Sequence, residues 1–250
     1  MNRPVCVALG CAVLGLAQPA RAYRPFDGTD ADVAEPGAAE FEVGPAEYRR
    51  SGSRTTWFVP ALIFNYGFAR DFEFVLEGRH ELAGQSPSNS QITDSALSVK
   101  QVLREGKLQG RSGISIANEW SCLFPNTGAE RKWGAELTTI FSSRWRPLTL
   151  HLNVYNELSR QRRYVTAMGP IIEGPFTWRV RPVVELIATR GFGAARWSRG
   201  LSGSALVGAI GRVRDDLTVD LAFLVAISQG LREQALRAGF TWSFDTSLEL

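Results

Sequence analysis

Lysine is nearly missing from this chain: only Lys100, Lys107 and Lys132 occur in 250 residues, and arginine carries the remaining positive charge. Cysteine is scarce too, since Cys6 and Cys11 fall in the first apolar run and leave Cys122 alone. One cysteine cannot close an intramolecular bridge, so no disulfide framework holds this domain together. The only histidines, His80 and His151, have no cysteine partners at zinc-site spacing. Neither a metal nor a cofactor is implied. Beyond residue 22 no apolar run is long enough for a membrane-spanning helix. Excess charge is small as well, with 28 basic residues against 25 acidic ones. That balance offers no basic stripe for a nucleic-acid partner.

What is present begins with an export signal. Asn2 and Arg3 form a short n-region, Val5 to Ala17 an apolar core, and Ala20-Arg21-Ala22 a small-x-small cleavage pattern. Residues 1–22 are therefore expected to be a signal peptide, with the mature chain starting at Tyr23. Residues 23–38 are punctuated by Pro25, Asp27, Gly28, Pro36 and Gly37 and read as an extended leader on the periplasmic side. Residues 39–250 read as one all-β domain.

Period-two alternation between turn signals predicts about twelve strands in that domain. They run near Ala39–Tyr48, Thr55–Asn65, Phe72–Leu82, Ser95–Arg104, Gly113–Leu123 and Gly134–Arg144, then Leu148–Leu158, Tyr164–Glu173, Trp178–Thr189, Leu201–Arg212, Leu217–Ser228 and Gln234–Phe244. Leu148, Leu150, Leu152 and Val154 alternate with Thr149, His151, Asn153 and Tyr155. Leu217, Val219, Leu221, Phe223, Val225 and Ile227 form another such apolar row. A soluble sandwich makes the same pattern. Two features favour a membrane: most segments are about ten residues long, as a tilted spanning strand requires, and short turns alternate with longer polar loops. The expected fold is an antiparallel up-and-down transmembrane β-barrel of about twelve strands. Pro60 and Pro182 each remove a ladder donor and should sit at bulges or rims.

The last strand carries Leu236, Ala238, Phe240, Trp242 and Phe244 on one face. It resembles the C-terminal assembly signal of bacterial outer-membrane barrels, which implies the barrel-assembly machinery as a partner. Further stretches are Arg24-Pro25-Phe26-Asp27 through Glu35-Pro36-Gly37, Pro60 to Gly67, Glu73 to Gly78, Ser95 to Lys100 and Arg237 to Phe244. Together they resemble the family of outer-membrane barrels associated with the meta-cleavage pathway of phenol degradation. The resemblance implies an outer-membrane location and passage of small molecules, aromatic ones among them. It supplies no catalytic motif.

If the apolar face meets lipid, the other face lines the lumen. The candidate lining is Glu73, Glu77, Arg79, Lys100, Glu119, Glu136, His151, Glu157, Arg179, Arg181, Glu185 and Asp220, with Arg104 in the same alternation. Eight strands give a filled bore and sixteen an aqueous channel, so twelve fall between. A narrow charged passage and a plugged structural or adhesive barrel both stay open. A rim hydrolase is the third reading, and His151 has no neighbouring serine in a triad motif. Arg160, Arg162 and Arg163 cluster in an outer loop, where a solvated face is the favoured reading and a hold on lipopolysaccharide phosphates the other.

Overall fold

In the computed structural model residues 23–83, 90–128, 130–192, 201–228 and 230–246 are described. The expected signal peptide lies outside them, as do parts of the loops around 84–89 and 193–200. Twelve antiparallel strands close into a barrel in chain order. They are β1 (Ala38–Ser51), β2 (Arg54–Ala69), β3 (Phe72–Ala83), β4 (Ser90–Arg104), β5 (Ser115–Leu123), β6 (Gly134–Trp145), β7 (Leu148–Leu158), β8 (Tyr164–Glu173), β9 (Val180–Phe192), β10 (Leu201–Arg214), β11 (Leu217–Ser228) and β12 (Leu231–Asp245). A single 3-10 turn, Lys107–Gln109, interrupts the β4–β5 connection. The strand count and the bounds of β7, β8 and β11 match the sequence expectation. β12 pairs with β1 from Ala38 opposite Asp245 to Ser51 opposite Glu233, so the sheet has no free edge.

Alternation decides which side chain faces where. The outward rows of β11 and neighbouring strands are apolar and exposed, with Leu221 at 57% and Val207 at 58%. A soluble protein would not leave such a continuous belt in water, whereas a membrane barrel surrounds itself with one. Aromatics rim the belt at both ends. Phe41, Phe64, Trp242 and Phe244 pack together at the end carrying the termini. Tyr48 lies edge-on to Trp57 at the other.

Bulges within β1, β2 and β4 reset the alternation along those strands. Register shifts between Val43 and Ala46 on β1 and between Phe58 and Ala61 on β2. On β4, Asp94 and Ser95 bulge out where Glu77 pairs with Ala96 and Arg79 with Thr93. The inward set of β1 thus changes from Glu42 to Glu47 and Arg49. Pro60 sits in the β2 bulge, where its missing N–H costs no ladder bond.

Candidate functional site

Inside the barrel the wall has two characters. The β9–β12 side is apolar, with Val183, Leu206, Ile210, Ala222, Leu224 and Ala235 buried together. The β3–β7 side carries carboxylates. Between them runs the leader, residues 23–37. It runs inside the bore. Phe26 packs on the apolar side, and its neighbours find polar partners on almost every strand.

Arg237 of β12 donates to the Pro25 carbonyl at 3.0 Å and pairs with Asp27 at 2.8 Å and with Glu47 of β1 at 3.3 Å. Arg24 donates its amide N–H to Glu42 at 3.1 Å and sets its guanidinium 3.4 Å from Asp220. The amides of Asp27 and Gly28 both donate to Glu185, at 2.9 and 2.8 Å. Thr29 and Asn153 bond reciprocally, N–H to Oδ1 at 3.2 Å and Nδ2 to carbonyl at 2.9 Å. Lys100 pairs with Glu73 at 3.3 Å and donates to the Tyr23 hydroxyl at 2.8 Å, while the Ala34 amide donates to Glu73 at 2.7 Å. These contacts satisfy the leader's backbone as strand pairing would.

Two glycines make the fit. A Cβ on Gly67 would stand 2.2 Å from the carbonyl oxygens of Ala34 and Glu35, so the leader crosses β2 on bare backbone. One on Gly28 would meet the Tyr155 hydroxyl at 2.7 Å. Two leader groups are electrostatically perturbed. Burial pushes the Tyr23 phenol well above its ordinary value, with nearby Asp30 adding to it. Burial also raises the Asp27 carboxyl, but Arg237 overrides that and holds it below its ordinary value.

One fastening has the order of a serine–histidine–acid relay. Ser142 bonds His151 Nδ1 at 2.8 Å, His151 Nε2 bonds Glu173 at 3.0 Å, and Arg181 holds Glu173 at 2.8 Å. Antiparallel register creates it by setting Ser142 opposite His151. Ser142 is enclosed, however, and its oxygen accepts the Ala31 amide at 2.9 Å. The adjoining cavity is about 20 Å³, room for one water. In this arrangement Ser142 is covered by the leader, and the trio fastens Ala31.

The leader divides the bore into two cavities that both reach Tyr23. One of about 720 Å³ opens at the end carrying the termini, beside Arg70, Glu105 and Asp245. The other, about 550 Å³, opens at the opposite end. Glu77, Arg79, Glu119, Glu136 and Glu157 line the second cavity, as does Glu73. Lys100 is buried behind the leader, His151 and Arg181 lie beneath it, and Glu185 and Asp220 grip it. Arg179 is elsewhere: it is exposed in the turn before β9 and offers its carbonyl to the Arg212 amide at 2.8 Å. The Trp178 amide bonds the Pro175 carbonyl, which holds that stretch in a turn and starts β9 two residues late. Arg104 is likewise exposed, at the end of β4. Arg24, Asp27, Glu42, Glu47, Ser142, Glu173 and Arg237 also face the interior and were not among the expected lining, whereas Asn153 lies inward beside His151 as its alternation implied.

No family model matches the chain, and no curated protein matches it. Solved structures do. An outer-membrane channel from Pseudomonas putida F1 aligns with a TM-score of 0.64 at 12% identity, over 88% of this chain and 100% of that one. The NanC porin aligns at 0.59 and 8% identity, over 82% of this chain and 98% of that one. The KdgM porin, in complex with disordered oligogalacturonate, aligns at 0.58 and 13% identity, over 83% and 99%. These likenesses establish the class of fold, the closed β-barrel of outer-membrane channels and porins.

Proposed function

We propose that the protein is a passive outer-membrane channel for small solutes, with the leader narrowing the bore and the outer cavity favouring cations. The carrying observation is the charge of that cavity. Ten carboxylates and five arginines line it. The arginines are spoken for: Arg24 by Asp220, Arg49 by Glu47, Arg79 by Asp94, Arg237 by Asp27 and Arg160 by the Phe124 and Ser95 carbonyls. Among the described residues Glu77, Glu119, Glu136 and Glu157 have no ion-pair partner. A low-dielectric cleft lined by one sign of charge concentrates the opposite sign.

The chain is proposed to reach the outer membrane after cleavage near Ala22 and to insert through the barrel-assembly machinery. The resemblance to barrels of the meta-cleavage pathway supports small aromatic solutes, for which the Phe26 side of the bore offers an apolar surface. Swelling of proteoliposomes in matched cationic, neutral and anionic aromatic solutes tests this. The reading expects cations fastest and anions slowest, and equal rates for all three would refute the preference. A bore filled by fifteen residues also supports a plugged structural barrel, for which no solute would swell the vesicles.

A further inference from the structure

We propose that the two outer loops flanking β6 and β7 form a binding surface for lipid phosphates, the lipid being the phosphorylated lipopolysaccharide of the surrounding leaflet. Residues 124–133 join β5 to β6, and residues 159–163 join β7 to β8. The loops are fastened to one another. Arg160 donates to the Phe124 carbonyl at 2.6 Å, and the Gln161 amide bonds Glu130. The Ser159 amide bonds the Arg163 carbonyl and the Arg162 amide the Ser159 carbonyl, so the shorter loop is a closed turn. Arg160 is buried and structural. Arg131, Lys132, Arg162 and Arg163 stand on either side of the seam, and all four are exposed.

Among the described residues these four cations make no ion pair. Arg131 gives only its Nε–H to the Gly128 carbonyl. Glu130, the carboxylate of the seam, accepts from the Asn126 and Gln161 amides. At the opposite end Arg70 and Arg111 share Glu105 and Arg214 holds Asp216, so those three guanidinium groups are paired within the protein. Directly beneath the seam, Trp133 and Tyr164 are 54% and 48% exposed on the outward face. Aromatics of that kind sit at headgroup level. Unpaired guanidinium groups just above them are at the height of lipid phosphates and suit bidentate phosphate binding.

The test uses the full mature protein, refolded in detergent, with purified lipopolysaccharide as probe. The comparison protein carries Arg131→Gln, Lys132→Gln, Arg162→Gln and Arg163→Gln. An anionic surface attracts each nearby basic side chain by about fivefold in affinity, so retention should fall on the order of a hundredfold or more. Enzymatically dephosphorylated lipopolysaccharide should bind the wild type as weakly as the intact lipid binds the variant. Inorganic phosphate should not displace the lipid, and Arg70→Gln with Arg111→Gln should leave retention unchanged. Equal retention by a variant that keeps its heat-modifiable gel migration would overturn the proposal. So would equal binding of the dephosphorylated lipid, or displacement by inorganic phosphate, which would mark a free-anion site. Should the fourfold variant fail to fold, the Arg131/Lys132 and Arg162/Arg163 pairs are tested separately, each with an expected loss of about twenty-five-fold.

Discussion

Replacing Glu185 with alanine should loosen the leader without unfolding the barrel. Glu185 is buried and accepts the amides of Asp27 and Gly28 at 2.9 and 2.8 Å. A hydrogen bond to a charged group contributes about 1.5–3 kcal/mol. Losing both would cost about 3–6 kcal/mol if nothing replaced them. The amides lie against a cavity that water enters, so solvent recovers part, and a net loss of about 2–4 kcal/mol is expected. Each 1.4 kcal/mol is tenfold, which raises the undocked leader population roughly thirty- to thousandfold. The neighbouring strands keep their ladders, because residue 185 contributes its backbone either way. Single-channel recording in planar bilayers should show the larger conductance level visited far more often. Hydrogen exchange at the Asp27 and Gly28 amides should accelerate by a similar factor. Accelerated exchange with unchanged conductance would show that the leader does not limit passage. Unchanged exchange would refute the fastening itself.

Other perturbations test separate parts of the account. Gly67→Val places a side chain where Ala34 and Glu35 cross, and limited proteolysis should then cleave the leader that the wild type protects. Glu119→Gln, Glu136→Gln and Glu157→Gln together should move the reversal potential in a salt gradient toward zero, with folding intact. Asp27 is held below its ordinary carboxylate value by Arg237 against burial, so docking is favoured at neutral pH and weakens as pH falls through that lowered value. Conductance should rise on such acidification, and less so in Asp27→Asn. Leu221→Arg puts a charge on the lipid face and should cost about 2–4 kcal/mol in refolding titrations. A fluorescent label on Leu221→Cys, with Cys122→Ser, should be quenched by lipid-tail nitroxides and not by iodide.

Strands were legible in the sequence because alternation is a local signal. Leu148–Leu158 and Leu217–Ser228 show an apolar row facing a polar one without interruption, and those bounds are the ones observed. The bulge at Phe58/Ala61 was legible through Pro60, but the one at Val43/Ala46 was not, and the inward phase changes there within β1, which hid Glu47 as a lumen residue. The same limit applies to Arg179, whose parity with Arg181 is real but whose turn is set by the Trp178–Pro175 bond. Ser142 meets His151 only through the β6–β7 register, which hairpin geometry fixes. The leader's place was least legible of all. Its partners Glu185, Asn153 and Arg237 lie more than a hundred residues away, and only Gly28 and Phe26 hint at a segment meant to be enclosed.

The central claim is that a solute path runs through this barrel past the leader and prefers cations. The most direct measurement is the reversal potential and unitary conductance of the mature protein in planar bilayers under a potassium chloride gradient, compared with a form lacking residues 23–36. The account predicts small steps reversing on the cation side, and larger steps of the same sign without the leader. Refolded, heat-modifiable barrels that stay silent in both forms, or that reverse on the anion side, would contradict it.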